Sequence, residues 1–245
     1  MTTRAATALV AAEARMVARD TSGLIVPLGM PLLILTMNGL GTSGVDLPGG
    51  LTAFDVHVVP LSLVVVVALV GAVNMPSFLA YYRKTGVLKS LAVTPVNPAL
   101  VLVAQVVVSV AQTLIGVALA LTVAVAVFGM NPPLDPIAGV AVFGLAAAAM
   151  YSVGVVVAAI SPTPNASVAI GLVAFFAMGA TGGMFGPTQN LPGVLATVGE
   201  YLPFGAAVTS LGAAWQGEPI DPAHLVGPAV AIVLGSVAAV RFFRW

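Results

Sequence analysis

Gln105, Ser109, Gln112 and Gly116 recur at i, i+4, i+7 and i+11 within an otherwise apolar run. On a helix they form one polar stripe. Amides and a hydroxyl so placed do no covalent chemistry; they hydrogen-bond. Such a stripe either bridges helices inside an apolar bundle or lines a path for a translocated molecule, and the residue types allow both. A second polar stretch is Tyr81–Pro98, Y-Y-R-K-T-G-V-L-K-S-L-A-V-T-P-V-N-P, which holds Arg83, Lys84 and Lys89, three of the eight basic residues. Val87, Leu88 and Leu91 fall on one side of a short helix, with Thr85, Lys89 and Ser90 pointing away. Thr94-Pro95 ends that helix, because the residue before proline is pushed out of the helical region. A short basic amphipathic helix of this kind lies on a membrane surface or docks into a soluble partner. Gly41-Thr42-Ser43-Gly44 sets a serine among glycines. It becomes a nucleophile only with a base beside it, and the stretch reads more simply as a flexible loop.

The elements that position these groups must be membrane spans. The chain is 60% hydrophobic and 7% charged, with a mean hydropathy of +1.11. Soluble domains carry about 25% charged residues. The apolar runs are long and continuous, which favours helices over the short alternating strands of a barrel. Cysteine is absent, so there is no disulfide or thiolate metal site. His57 and His224 alone fall short of the usual ligand count for a metal. No G-x-x-x-x-G-K-[ST] stretch occurs, and neither Lys84 nor Lys89 follows a glycine-rich loop, so the chain does not bind ATP by that device.

Read in order, residues 4–20 make an amphipathic helix, with Arg4, Arg15 and Arg19 on one face and Leu9, Val10, Met16 and Val17 on another. Glu13 and Asp20 lie on the apolar side. The helix is expected on the inner leaflet with its arginines near lipid phosphates. Residues 1–22 are thus set apart from a single membrane-spanning unit, 23–245. Spans are expected at about 23–40 (kinked by Pro27 and Pro31), 56–79, 98–128, 136–160 and 166–186, with a last span from Asp221-Pro222 to Arg241. The stretch 41–55 reads as an external loop that ends at Asp55. Asn97-Pro98, Asp135-Pro136 and Asp221-Pro222 are helix-start signals. Between the fifth and sixth spans, Pro192–Tyr201 and Pro203–Trp215 are too short to cross and should dip in part-way.

With the N-terminus inside, six spans put every basic residue in the cytoplasm and six of eight acidic residues outside. Shifting the count by one span would put a basic cluster outside.

The segments R-K-T-G-V-L-K-S-L-A-V-T-P-V-N-P and G-G-M-F-G-P-T-Q-N-L-P-G-V-L, the latter followed by Y-L-P-F, together with the six spans and the N-terminal helix, resemble the type-2 permeases of ABC transporters, the drug, polysaccharide and lipid exporters. The resemblance covers nearly the whole chain. It implies an all-α polytopic fold with no catalysis of its own. The chain would pair with a second permease copy and dock on a separate ATP-hydrolysing subunit, which binds the ATP and magnesium. It implies that Arg83, Lys84, Val87, Leu88, Lys89 and Leu91 form the coupling helix, with Glu13, Arg15 and Arg19 in an interface helix beside it. Gln105, Ser109 and Gln112 are the candidates for a translocation path. The expected setting is a bacterial plasma membrane with both termini cytoplasmic. Two other classes compete. An intramembrane hydrolase needs a nucleophile and a base facing each other at membrane depth, and none is found. A channel or ion-coupled carrier more often shows charge inside its spans.

Overall fold

A computed structural model describes residues 3–42, 46–86 and 99–242. The described residues are helical throughout, apart from turns and one isolated bridge between Asp46 and Thr52. The elements are α1 (Thr3–Arg19), α2 (Thr21–Thr42), α3 (Phe54–Thr85), α4 (Ala99–Phe128), α5 (Pro136–Ile160), α6 (Pro164–Thr181), α7 (Gly193–Tyr201), α8 (Pro203–Gln216) and α9 (Val226–Phe242). Six are long and apolar enough to cross a membrane, and α7 and α8 form a pair bent by 76°. The chain is therefore an all-α, multi-pass membrane protein.

Local signals set the boundaries. The Asp135 side chain accepts from Ala138 N at 2.9 Å and opens α5, with Pro136 at the first helical position. Thr163 does the same for α6 through Ala166 N, and Asp221 accepts from Ala223 N ahead of α9. Asn97 and Pro98 lie outside the described residues. Helix α2 is one continuous helix with Pro27 and Pro31 inside it, as expected of the first span. Two expectations shift. Helix α6 ends at Thr181 rather than near Gly186, because the glycines that follow turn the chain, Gly183 at φ 91. Asp55 is not a loop residue: α3 starts at Phe54, and Asp55 is buried in its first turn.

Helix α3 is the axis of the bundle. Of its apolar window 94% is buried within the chain, against 28–33% for the other five spans. An apolar helix buried on every side needs no amphipathic pattern, and Val59–Val73 has none. Close packing comes from glycines on its neighbours. A Cβ on Gly154 of α5 would meet Gly71 O at 2.0 Å, one on Gly171 of α6 would meet Ala72 O at 2.4 Å, and one on Gly212 of α8 would meet Val56 O at 2.8 Å. Helix α9 packs outside this core, with Gly235 against Ser152 of α5.

Candidate functional site

The loop ends sort by charge. The described basic residues Arg15, Arg19, Arg83, Lys84 and Arg241 sit where α1, α3 and α9 reach one end of the bundle. Asp46, Asp135, Glu200, Glu218 and Asp221 sit at the other.

The basic end is built on α1 and the last turns of α3. Val17 of α1 packs with Phe78 and Tyr82 of α3 and with Val101 and Val108 of α4. This burial carries Glu13 inward. The Tyr82 hydroxyl donates to Glu13 Oε2 and also reaches Met16 Sδ at 3.6 Å. Burial pushes the Glu13 carboxyl above its usual range, partly offset by that hydrogen bond. Arg15 and Arg19 remain exposed on the opposite face. Asp20 accepts from Gly23 N at 3.0 Å and Ser22 Oγ at 2.7 Å, at the start of α2. Those donors, the Gly23 N–H first, hold its carboxyl below the ordinary carboxylate range.

Arg83 Nη1 donates to Ala158 O at 2.9 Å and to Ala159 O at 3.1 Å. These are among the last carbonyls of α5, which have no partner within their own helix, and a cation there also meets the negative end of the helix dipole. Lys84 is exposed, and Gly86 ends α3 in the left-handed conformation at φ 69. Val87, Leu88, Lys89 and Leu91 lie outside the described residues.

About two turns deeper along α3 is a polar junction that a proline creates. Pro27 has no N–H, so the Gly23 carbonyl four residues back has no α-helical donor. Two amides fill the vacancy. Gln112 Nε2 donates to Gly23 O at 2.6 Å and Asn74 Nδ2 at 3.1 Å, and Asn74 Nδ2 also reaches Gln112 Oε1 at 2.9 Å. Helices α2, α3 and α4 are joined at that single oxygen. Nearby, α3 passes through a π-turn at Leu69–Asn74. The Met75 N–H goes to Val70 O, and Pro76 has no N–H, so Gly71 O is offered neither its α nor its π partner and faces α5 at Gly154. Gln105, Ser109 and Gln112 are all buried within the single chain. Gln112 is the member of the stripe with a defined bridging role. Gln105 Oε1 is buried with no hydrogen-bond partner among the described residues.

The acidic end carries a second polar cluster. Asp55 accepts from Thr52 N and Thr52 Oγ1, both at 2.9 Å, from Asn131 N at 2.9 Å and from Asn131 Nδ2 at 3.1 Å. Trp215 Nε1 donates to Asn131 O at 3.2 Å, while Leu134 N and Asp135 N bond Trp215 O and Ala214 O. The start of α3, the α4–α5 turn and the end of α8 are thereby locked together. Ser43 lies outside the described residues. No group of three or more metal-ligating side chains occurs among those described.

The fold is a six-span bundle with one N-terminal helix docked on its basic end and a short bent pair at the other, and a family model for the ABC-2 type transporter matches residues 4–214. The chain belongs to the ABC-2 type transporter family. The match runs from α1 through most of α8. The protein is thus a permease component of an ABC transporter, and its family implies association with an ABC ATPase subunit. No curated protein matches the chain.

Sequence reasoning finds the permease's polar stripe and the odd acidic residue of α1, because both break an apolar pattern. It misses Tyr82, Asn74 and the clamp of Asp55, Asn131 and Trp215. Their partners lie 38 to 84 residues away in sequence. The one available signal is Pro27, which announces a vacated carbonyl at Gly23.

Proposed function

We propose that the chain is the membrane half of an ATP-driven exporter in a bacterial plasma membrane. It works with a second permease copy and moves amphipathic, drug-like or lipid-like molecules outward. The basic end is cytoplasmic, both termini included, as the positive-inside bias favours. ATP and magnesium are bound by a separate ATPase subunit. Residues 83–91 dock on that subunit, with Arg15 and Arg19 of α1 beside them.

The observation that carries this reading is the attachment of Arg83 to the end of α5, next to Tyr82 attached to α1. A push on the segment after Thr85 acts on α1, α3 and α5 together, and α3 touches α2, α4, α6 and α8. The walls of the spans are apolar with few amides, which suits amphipathic cargo. Gln112 serves the path indirectly, by holding α2, α3 and α4 together, and Gln105 and Ser109 are the candidates for its lining.

Co-purification with a candidate ATPase and measurement of its ATP hydrolysis tests the assignment. Hydrolysis should respond to transported substrate, and Leu88→Asp should abolish that response while the permease still inserts. An unpaired carboxylate in an apolar cleft costs several kcal/mol, enough to empty a docked state. Wild-type coupling in Leu88→Asp would remove the docking role from this segment.

A further inference from the structure

At the acidic end, the bend between α7 and α8 rests against α9 and leaves an apolar groove of about 550 Å³. Tyr201, Pro203, Val226, Gly227, Val230 and Leu234 line it. The groove exists because two backbones meet closely at its head: a Cβ on Gly227 would lie 1.8 Å from Tyr201 O. From that point the groove follows α9 as far as Leu234. Val226, Val230 and Leu234 follow i, i+4 and i+8 and are exposed along its length. Eight residues of helix span about 12 Å, close to one leaflet's share of a hydrocarbon core about 30 Å thick.

The mouth is polar. Glu200 Oε1 lies 3.0 Å from His224 Nε2, with the histidine side chain 8% exposed and the glutamate 48% exposed. The Tyr201 ring lies beside the histidine at 5.7 Å. Every described basic residue is at the opposite end of the bundle. A second copy in the same orientation would bring Asp46, Asp135, Glu218 and Asp221 towards Glu200 and no lysine or arginine among the described residues. His224 takes Glu200 Oε1, and the second oxygen of the half-exposed carboxylate has no partner among the described residues, which leaves it open to a cation from outside the chain.

We infer that the groove between the α7–α8 bend and α9 binds one phospholipid of the adjoining leaflet, an acyl chain in the groove and an ammonium headgroup at Glu200. The chain buries apolar area against Val226, Val230 and Leu234. The ammonium donates to the carboxylate oxygens. The site would hold a resident lipid beside the bent pair, and it does not depend on the export direction or the ATPase.

The test uses the full chain in mild detergent, titrated with dioleoyl phosphatidylethanolamine or dioleoyl phosphatidylglycerol and read by native mass spectrometry. One phosphatidylethanolamine should be retained more tightly than phosphatidylglycerol, by about fivefold, the size of a partly exposed charge pair. Ala231→Trp, which fills the groove, should lower retention of both lipids. Glu200→Gln should erase the preference between headgroups while chain binding persists. Val233→Trp, exposed elsewhere on α9, should change nothing. Equal retention of the two lipids by the wild type, or a preference that survives Glu200→Gln, overturns the headgroup assignment even if Ala231→Trp fails to fold. Wild-type lipid retention in a folded Ala231→Trp overturns the acyl site. A change in oligomer mass with lipid unaltered assigns the groove to a second copy instead.

Discussion

At its acidic end α3 is held by Asp55, whose carboxylate takes four hydrogen bonds from Thr52 and Asn131, and Asn131 is itself tied to Trp215. At its basic end the attachments are single and spread over several helices: Tyr82 to Glu13 of α1, Arg83 to the last carbonyls of α5, and the amides of Asn74 and Gln112 to one backbone oxygen of α2. The first arrangement concentrates donors on one buried charge. The second distributes weaker links among several helices. A satisfied buried carboxylate is costly to disturb, whereas interhelical hydrogen bonds in membranes average well under 1 kcal/mol each. The acidic end is the frame, and the basic end is the more weakly tied part, the one that a docked subunit would move on the proposed reading.

The largest effect expected from this contrast is at Asp55. Removal of the carboxylate strips partners from the Asn131 N–H and side-chain amide and from Thr52, so Asp55→Ala should destabilise the folded chain by about 3 kcal/mol or more. Thermal unfolding in detergent, followed by near-ultraviolet signal from Trp215, measures it. A loss below that of any basic-end variant would reverse the assignment of frame and moving part.

Next comes the contact between α3 and α5. Gly154→Ala puts a methyl group 2.0 Å from Gly71 O, a backbone atom that cannot rotate aside. The two helices must separate, at a cost of about 1–3 kcal/mol. The matched variant Gly144→Ala meets nothing within 4 Å and should be neutral, which makes the pair a direct comparison by the same unfolding measurement.

These residues also show where the sequence was readable. The spans, the caps at Asp135 and Asp221 and the short bent pair follow from apolar length, prolines and N-cap residues, and the structure agrees with them within a few residues. The π-turn at Leu69–Asn74 was not readable, since an extra residue per turn leaves no trace in a helix that is apolar all round. Asp55 was misplaced because a carboxylate next to an apolar run looks like a loop residue until its donors at Asn131 are known. Glu13 was recognisable as anomalous, but Tyr82 could not be named as its partner from local pattern. The docking face of Val87, Leu88 and Leu91 stays a reading of sequence, as those residues lie outside the described ones.

A smaller effect is expected at the proline-made junction. Gln112→Ala and Asn74→Ala should each cost about 1 kcal/mol or less. Because both donate to Gly23 O and one bonds the other, their costs should not add. Replacing Pro27 by Ala restores an N–H four residues after Gly23 and should reduce the cost of Gln112→Ala. A double-mutant cycle that is additive to within a few tenths of a kcal/mol would show that the shared carbonyl does not couple α2, α3 and α4.

The smallest effect lies in the docking of α1, and it carries a sign. Glu13 is buried and its carboxyl is raised above the ordinary value of 4.5. A carboxyl with a raised folded-state value favours the folded state while protonated. That contribution is complete below the unfolded value, shrinks as pH rises through the raised folded value and is gone above it. Glu13→Gln keeps an oxygen acceptor for the Tyr82 hydroxyl and removes the charge. The stability of Glu13→Gln relative to wild type should therefore increase from pH 4 upward and level off once the folded carboxyl has ionised. Asp20, with a lowered value, has the opposite pH trend, but it is present in both proteins and cancels in the difference. Unfolding midpoints of the two proteins across that pH range supply the measurement. A difference that is flat with pH, or that falls as pH rises, would mean that α1 does not hold Glu13 against Tyr82, and that the basic end lacks the weak link through which a docked subunit would act on it.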